Sequence, residues 1–163
     1  MSTSPLVQNA RHLVVIDIEN IAGGASPSSF EIEQCKEELR QVLPDFDRTQ
    51  AIVASSHHAG PEVMFAFPAA LRRLNSGPDG ADLALLEELG DLRVMSRYRS
   101  VTVCTGDGIF ADAVAALARI GIEVTVVARE GSLSARLELA AQRVVVLPGP
   151  IPVEPAIAVE RAS

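Results

Sequence analysis

Long apolar runs, cysteine and tryptophan are scarce in this 163-residue sequence. Its longest hydrophobic runs are about six residues, far short of the roughly 20 that a membrane-spanning helix needs. The first residues, MSTSPLVQNARH, contain no basic segment leading into an apolar run, so we expect neither a signal peptide nor membrane association. The two cysteines, Cys35 and Cys104, fit neither a zinc motif nor a disulfide framework. We therefore expect a cytoplasmic protein.

Positive charge is also in short supply. Fourteen basic residues stand against 21 acidic ones, for a formal net charge of −7. This balance argues against a protein that coats nucleic acid through a basic surface, but not against an enzyme whose acidic site faces nucleic acid. Lys36 is the only lysine, so a mechanism that needs a lysine later in the chain lacks one.

Short β-branched segments alternate with helical patterns along a chain whose length suits one domain. Continuous apolar strands are typical of a parallel sheet that is covered by helices on both faces. The sequence therefore predicts an α/β domain with three layers (α/β/α) and a mainly parallel sheet of about five to six strands. The predicted strands are 13–16, 51–54, 101–104, 124–127 and 144–147. The predicted helices are 28–43, 80–89, 110–120 and 132–141.

The expected organisation is an N-terminal extension (1–11), one domain (12–147) and a Pro-rich C-terminal tail (148–163). Residues 56–79 are the hardest to assign, because Pro61, Pro68 and Pro78 interrupt them.

Acidic residues follow the predicted strands at positions where open α/β sheets bind ligands. Asp17 ends an otherwise apolar strand, Asp107 lies in a glycine-flanked turn after another, and Asp82 opens a helix. If the three carboxylates converge at one edge, each pair repels by roughly 3 kcal/mol at about 5 Å and an effective dielectric of 20. Such a cluster must take up a proton or bind a cation, and oxygen ligands suit Mg²⁺ or Mn²⁺.

Each acid also has a purely structural interpretation. Asp17 could pair with an arginine, Asp82 could be an N-terminal helix acid favoured by the dipole, and Asp107 could stabilise a turn.

Three segments in the same order resemble the NYN domain, a branch of the PIN-like nuclease superfamily. They are VVIDIEN with Asp17 and Asn20, SGPDGADLALL with Asp82, and CTGDGIFADAV with Thr105 and Asp107. The resemblance extends from about residue 12 to residue 147 and implies a PIN-like, Rossmannoid sheet. It also implies a ribonuclease that hydrolyses RNA phosphodiester bonds with water activated by Mg²⁺ or Mn²⁺. Asp17, Asp82 and Asp107 would then be catalytic metal ligands, with Asn20 as a catalytic polar neighbour.

One departure from the family pattern is Ile109, which stands where the family has a further acid. With three carboxylates, we expect one tightly held metal ion and a second only with substrate. Glu19 is the better substitute for the missing acid if the strand continues, because residues two apart on a strand point the same way. Asp112 lies about 140° around a helix from the required direction, so we expect it to face elsewhere.

Substrate contacts are predicted for Thr105, Arg72, Arg73 and His57, with His58, Arg97 and Arg99 as further candidates. Each of them also has a structural interpretation, as a local hydrogen bond or a solvated side chain. With one tyrosine and no tryptophan, recognition should depend on phosphate and shape rather than on base stacking. RNA is the expected partner, no nucleotide cofactor is expected, and a homodimer is left open.

Other function classes remain as alternatives. A catalytically weakened or inactive NYN-fold module could bind RNA or a protein partner, which Ile109 favours. A receiver-like or haloacid-dehalogenase-like phosphotransfer domain would need a late lysine, and a dinucleotide-binding enzyme would need a glycine fingerprint that Gly23-Gly24 does not supply.

Overall fold

A computed structural model describes residues 11–56, 59–74 and 80–150 of the chain, with side chains omitted for 72–74. These residues form a six-stranded sheet in the order β3-β2-β1-β4-β5-β6, and every pairing is parallel. The strands are β1 (His12–Asp17), β2 (Gln50–Ser55), β3 (Leu71–Leu74), β4 (Ser100–Cys104), β5 (Glu123–Arg129) and β6 (Arg143–Leu147). The predicted parallel α/β sheet is therefore confirmed.

Helices cover both faces of this sheet, so the molecule has the three predicted layers. They are α1 (Ile18–Ala22), α2 (Ser29–Val42), α3 (Gly60–Ala66), α4 (Gly80–Gly90), α5 (Leu92–Met95), α6 (Ala111–Arg119) and α7 (Ala135–Ala140). Two 3₁₀ turns, Phe46–Arg48 and Gly108–Phe110, complete the described helical segments.

Alternate side chains of each strand enter two separate cores, as the two-residue period of a strand requires. Val14 and Ile16 of β1 pack with α1, α2 and α3 on one face. Leu13 and Val15 pack with α4, α5, α6 and α7 on the other. Because β1 is buried on both faces, it reads as a continuous apolar run until Asp17.

The strand order reverses direction at β1. The chain moves outward through β2 and β3 on one side, then returns to place β4 against the other side of β1. The carboxyl ends of β1 and β4 therefore flank a topological switch point, which is where ligands bind in open α/β sheets. Among the described helices, none combines the length and the hydrophobicity that crossing a bilayer requires.

Two features of the fold differ from the sequence-based expectation. Strand β3 has the sequence Leu-Arg-Arg-Leu, which is too short and too polar to read as a buried strand, but it lies at the sheet edge. Helix α1 begins directly after Asp17, whereas the direction predicted for Glu19 requires β1 to continue.

Candidate functional site

Asp17 occupies the end of β1 and is also the N-cap of α1. Its Oδ1 accepts a hydrogen bond from the backbone N–H of Asn20 at 3.4 Å. The change from strand to helix at this residue leaves the carboxylate at the switch point, where its residue is only 3% exposed. An acidic side chain so deeply buried needs a compensating partner.

Among the described side chains, its neighbour is a second acid, which adds to the cost of its charge. Asp82 lies in the first turn of α4 and is hydrogen-bonded to Asp17. Burial, followed by repulsion from Asp82 and the hydrogen bond to it, raises the pKa of Asp17 to about 8. Two carboxyl groups in contact, one of them buried, hold one proton between them at neutral pH, or exchange it for a cation.

Thr105 supports Asp17 from β4. Its fully buried hydroxyl donates to Asp17 Oδ2 at 3.2 Å and accepts from the backbone N–H of Asp107 at 3.2 Å. Since both functions of this hydroxyl are used inside the protein, Thr105 positions Asp17 and the following turn. The expected contact of Thr105 with substrate stays a prediction.

Asn20 joins the two loops that flank the switch point. Its side-chain Oδ1 accepts the backbone N–H of Gly106 at 2.8 Å, which fixes the loop after β4 against the start of α1. Asp107 is itself held by its turn, because its Oδ1 accepts the backbone N–H of Ile109 at 3.0 Å.

The glycines around Asp107 permit a close approach of the loop that follows β5. A Cβ on Gly106 would lie 2.3 Å from the backbone oxygen of Ser132, and one on Gly108 would lie 2.6 Å from Oγ of Ser134. The backbone N–H of Ser134 also donates to the carbonyl of Gly106 at 2.8 Å. Packing therefore requires glycine at position 106, where the contact is with backbone, whereas Gly108 faces a side chain that can move.

The NYN domain family model matches residues 11–148, most of the chain. The chain belongs to the NYN domain family. A solved structure of a protein of unknown function from Vibrio parahaemolyticus RIMD 2210633 is similar over 90% of this chain and 96% of that one, with a TM-score of 0.60 and 14% sequence identity. At that identity the likeness supports the fold alone. No curated protein sequence matches the chain significantly.

The acids of this NYN domain meet in a pair. Asp17 and Asp82 are in contact, but within residues 11–56, 59–74 and 80–150 no group of three His, Cys, Asp or Glu side chains is arranged to hold a metal ion. The paired carboxylates fit a hard divalent cation in donor type and charge, and a fuller ligand set would need Asp107 or a substrate phosphate. Asp107 as a metal ligand therefore stays a prediction.

The two candidate substitutes for the missing fourth acid have other partners. Glu19 was expected to point with Asp17 along an extended strand, and this is wrong because β1 ends at Asp17. Its Oε1 accepts the backbone N–H of Ser56 at 2.7 Å instead. Asp112 is exposed and pairs with Arg136 at 2.8 Å, as expected for an acid that faces away.

The remaining predicted contact residues are spread around the NYN domain. His57 and His58 lie outside the described residues. Arg72 and Arg73 are in the edge strand β3, opposite Val53 and Ala54 of β2. The further candidates Arg97 and Arg99 precede β4. They therefore lie at the amino-terminal end of the parallel strands, whereas Asp17 lies at the carboxyl-terminal end.

Sequence reasoning missed Arg129, the last residue of β5. Its side chain is 6% exposed, pairs with Glu38 of α2 at 2.6 Å, and donates through Nε to the carbonyl of Ile21 in α1. It also donates to the carbonyls of Pro148 and Gly149, which holds the chain after β6. A charge at the end of an apolar strand is the signal that identified Asp17, and it applies equally to Arg129.

Proposed function

We propose that this NYN domain is a ribonuclease that depends on Mg²⁺ or Mn²⁺ and hydrolyses RNA phosphodiester bonds. One observation carries the proposal: buried Asp17 is in contact with Asp82 at the switch point, and its pKa is raised to about 8. Without a bound cation, the repulsion between two neighbouring carboxylates lowers the stability of the folded domain at neutral pH. A divalent cation would relieve this repulsion, so the same pair would favour cation binding.

The chain's own residues divide between holding a cation and organising the edge. Asp17 and Asp82 would bind the ion, and Asp107 would complete the set as its turn approaches substrate. A divalent ion there would supply Lewis acidity, stabilising charge on the attacked phosphate and making water a better nucleophile. Asn20 and Thr105 would keep the β1 and β4 loops in register through their hydrogen bonds to Gly106 and Asp17.

The charge balance favours one strongly held ion. Asp17, Asp82 and Asp107 together carry −3 when ionised, which offsets one divalent ion and leaves −1. Two such ions at +4 would be under-neutralised until an RNA phosphate joined them. Binding of a second ion would then depend on substrate.

The test is Mn²⁺-dependent cleavage of a panel of structured and single-stranded RNAs. Asp17→Asn should abolish cleavage while the circular dichroism spectrum stays that of the folded domain. Asp112→Asn removes an exposed carboxylate on α6 and is the matched control, expected to cleave as the wild type does. Equal cleavage by Asp17→Asn and wild type would refute the proposal.

A second candidate function, an RNA-binding or protein-binding module without catalysis, is favoured by Ile109. This side chain stands where the family has an acid, lies in the turn after Asp107 and is 41% exposed. The candidate predicts that the wild type cleaves none of the RNAs with either metal, yet retains affinity for one of them in EDTA.

A further inference from the structure

The end of the sheet opposite the acid pair is rich in arginine. We call this surface the basic end and define it by five exposed side chains: Arg11, Arg48, Arg97, Arg99 and Arg143. Each precedes or begins a strand, or lies in the turn that leads into one. Because all strands are parallel, these positions lie at the same end of the sheet, where the strands begin.

Local charge at the basic end is opposite to that of the whole protein. The carboxylates among its cavity-lining residues are Asp45 and Glu123, and Glu123 lies 3.9 Å from Arg99 in an exposed pair. Arg11, Arg48 and Arg143 line the two cavities together with these two carboxylates, which gives the lining a charge of +1 in a chain whose formal charge is −7. Residues 1–10, which precede Arg11, contain no charged side chain.

Two adjoining cavities open at this end. One of about 440 Å³ is lined by Arg11, Arg48 and Tyr98, among others. The other, of about 470 Å³, is lined by Arg143 and Thr125, and both cavities share His12 and Pro44. Each is in the size range of small-ligand sites and has room for a nucleotide.

The walls of these cavities are held in place by internal hydrogen bonds. His12 bonds through Nδ1 to Ser100 Oγ at 2.6 Å and through Nε2 to Thr102 Oγ1 at 3.0 Å. Burial lowers the pKa of His12, so its ring is neutral near pH 7 and positive charge comes from the arginines. Tyr98 donates its hydroxyl to Gln50 Oε1 at 3.0 Å, which fixes the ring beside Arg11 and Arg48.

We propose that the basic end is a second contact surface for RNA, which binds backbone phosphates remote from the acid pair. Arginine guanidinium groups bind phosphate oxygens in bidentate geometry, and nothing else among the defining side chains selects a base. The choice of RNA as the polyanion rests on the proposed function, whereas the positive surface itself does not.

The distance between the two ends sets the length of RNA that can reach both. Strand β1 has six residues and spans about 20 Å at ~3.3 Å per residue. Phosphates of a stacked strand are about 3.4 Å apart along the axis, so roughly six nucleotides cover this span. A 20-nucleotide RNA can contact both ends, and a four-nucleotide RNA cannot.

The experiment measures binding without cleavage. Fluorescence anisotropy of a labelled 20-nucleotide oligouridine is recorded in EDTA at several KCl concentrations. For Arg11→Gln/Arg48→Gln/Arg97→Gln we expect the slope of log K against log salt to fall by about 2, at ~0.7 per lost phosphate contact, and affinity at 0.1 M to fall about tenfold or more. Two single variants are measured alongside the triple variant. Arg48→Gln should weaken binding, and Arg136→Gln on α7 is the matched control, which should not.

Three outcomes overturn the proposal. The first is an unchanged salt slope in the triple variant, and the second is an equal loss in Arg136→Gln. The third is an oligoglutamate peptide that binds the wild type more tightly than the RNA does and loses that binding in the triple variant, since the basic end would then be a protein-docking surface.

Cleavage assays separate this proposal from the proposed function. In Mn²⁺, the triple variant should raise KM for the 20-nucleotide RNA and leave kcat unchanged, with no effect on a four-nucleotide substrate. If the wild type cleaves nothing, the nuclease proposal fails, but the anisotropy result still decides whether the basic end binds RNA.

Discussion

The contact between Asp17 and Asp82 makes a specific prediction about stability and pH in the absence of metal. The pKa of Asp17 is about 8 in the folded protein, against an ordinary value of 3.8. The folded state therefore keeps a proton that the unfolded chain releases above about pH 4. This contribution to stability is fully present below pH 4 and is lost as the pH rises toward 8. The slope is roughly 1.4 kcal/mol per pH unit, so unfolding should become easier by about 3 kcal/mol between pH 5 and 7.

Asp82→Asn removes the neighbouring charge and leaves the burial of Asp17, which is the larger cause of its raised pKa. Like charges about 4 Å apart repel by up to ~4 kcal/mol at an effective dielectric of 20. After partial relaxation, we expect the variant to be about 1–3 kcal/mol more stable than wild type at pH 8 in EDTA. At pH 4 Asp17 is protonated in the folded protein, so the repulsion is absent and the two proteins should unfold alike.

Urea unfolding followed by circular dichroism at pH 4, 5, 6.5 and 8 provides the measurement. Asp112→Asn is the control, since its carboxylate is exposed and pairs with Arg136. Mg²⁺ added at pH 8 should stabilise wild type and have little effect on Asp82→Asn. A variant that is less stable than wild type at pH 8, or whose pH slope matches wild type, would refute the reasoning.

Three further substitutions test individual parts of the structure. Ile109→Asp should tighten Mn²⁺ binding about tenfold or more by calorimetry, because a carboxylate ~5 Å from a divalent ion gains several kcal/mol; unchanged affinity would mean that this position does not face the ion. Gly106→Ala should cost several kcal/mol in urea unfolding, because its Cβ would meet the backbone oxygen of Ser132 at 2.3 Å; a loss below ~1 kcal/mol would show that the loop shifts freely. Arg129→Met should destabilise the domain by about 3 kcal/mol by leaving Glu38 unpaired, and adding Glu38→Gln should restore part of the loss; no recovery would place the effect elsewhere.

Much of the fold could be predicted because its central strands are buried on both faces. The β1, β4 and β5 segments read as short apolar runs, which are typical of strands in a parallel sheet covered on both faces. Edge strand β3 could not be predicted in the same way, since a solvent-facing edge tolerates the polar sequence Leu-Arg-Arg-Leu. Its place in the sheet depends on pairing with β2, a contact that no local pattern encodes.

The candidate site was predictable where one residue broke a pattern. Asp17 stood out because a charge ended an apolar strand, and its neighbour Asp82 was suggested by its place at the start of a helix. The direction of Glu19 was not predictable from strand periodicity, because the capping of α1 by Asp17 ends the strand first. The hydrogen bonds of the Thr105 hydroxyl to Asp17 and Asp107 could not be predicted, because they depend on how the ends of β1 and β4 meet.

The net charge of −7 is a poor guide to RNA binding for this protein, because its charges are separated in space. At physiological ionic strength the Debye length is about 8 Å, less than half of the ~20 Å that β1 spans. A phosphate at the basic end is therefore largely screened from Asp17 and Asp82 and responds to the arginines near it. Lower salt lengthens the screening distance, so repulsion from the acidic end should offset part of the gain that low salt normally brings. The log K against log salt plot should consequently flatten below about 0.02 M, where the Debye length exceeds 20 Å, and a plot that stays linear would place the bound phosphates beyond the influence of the acid pair.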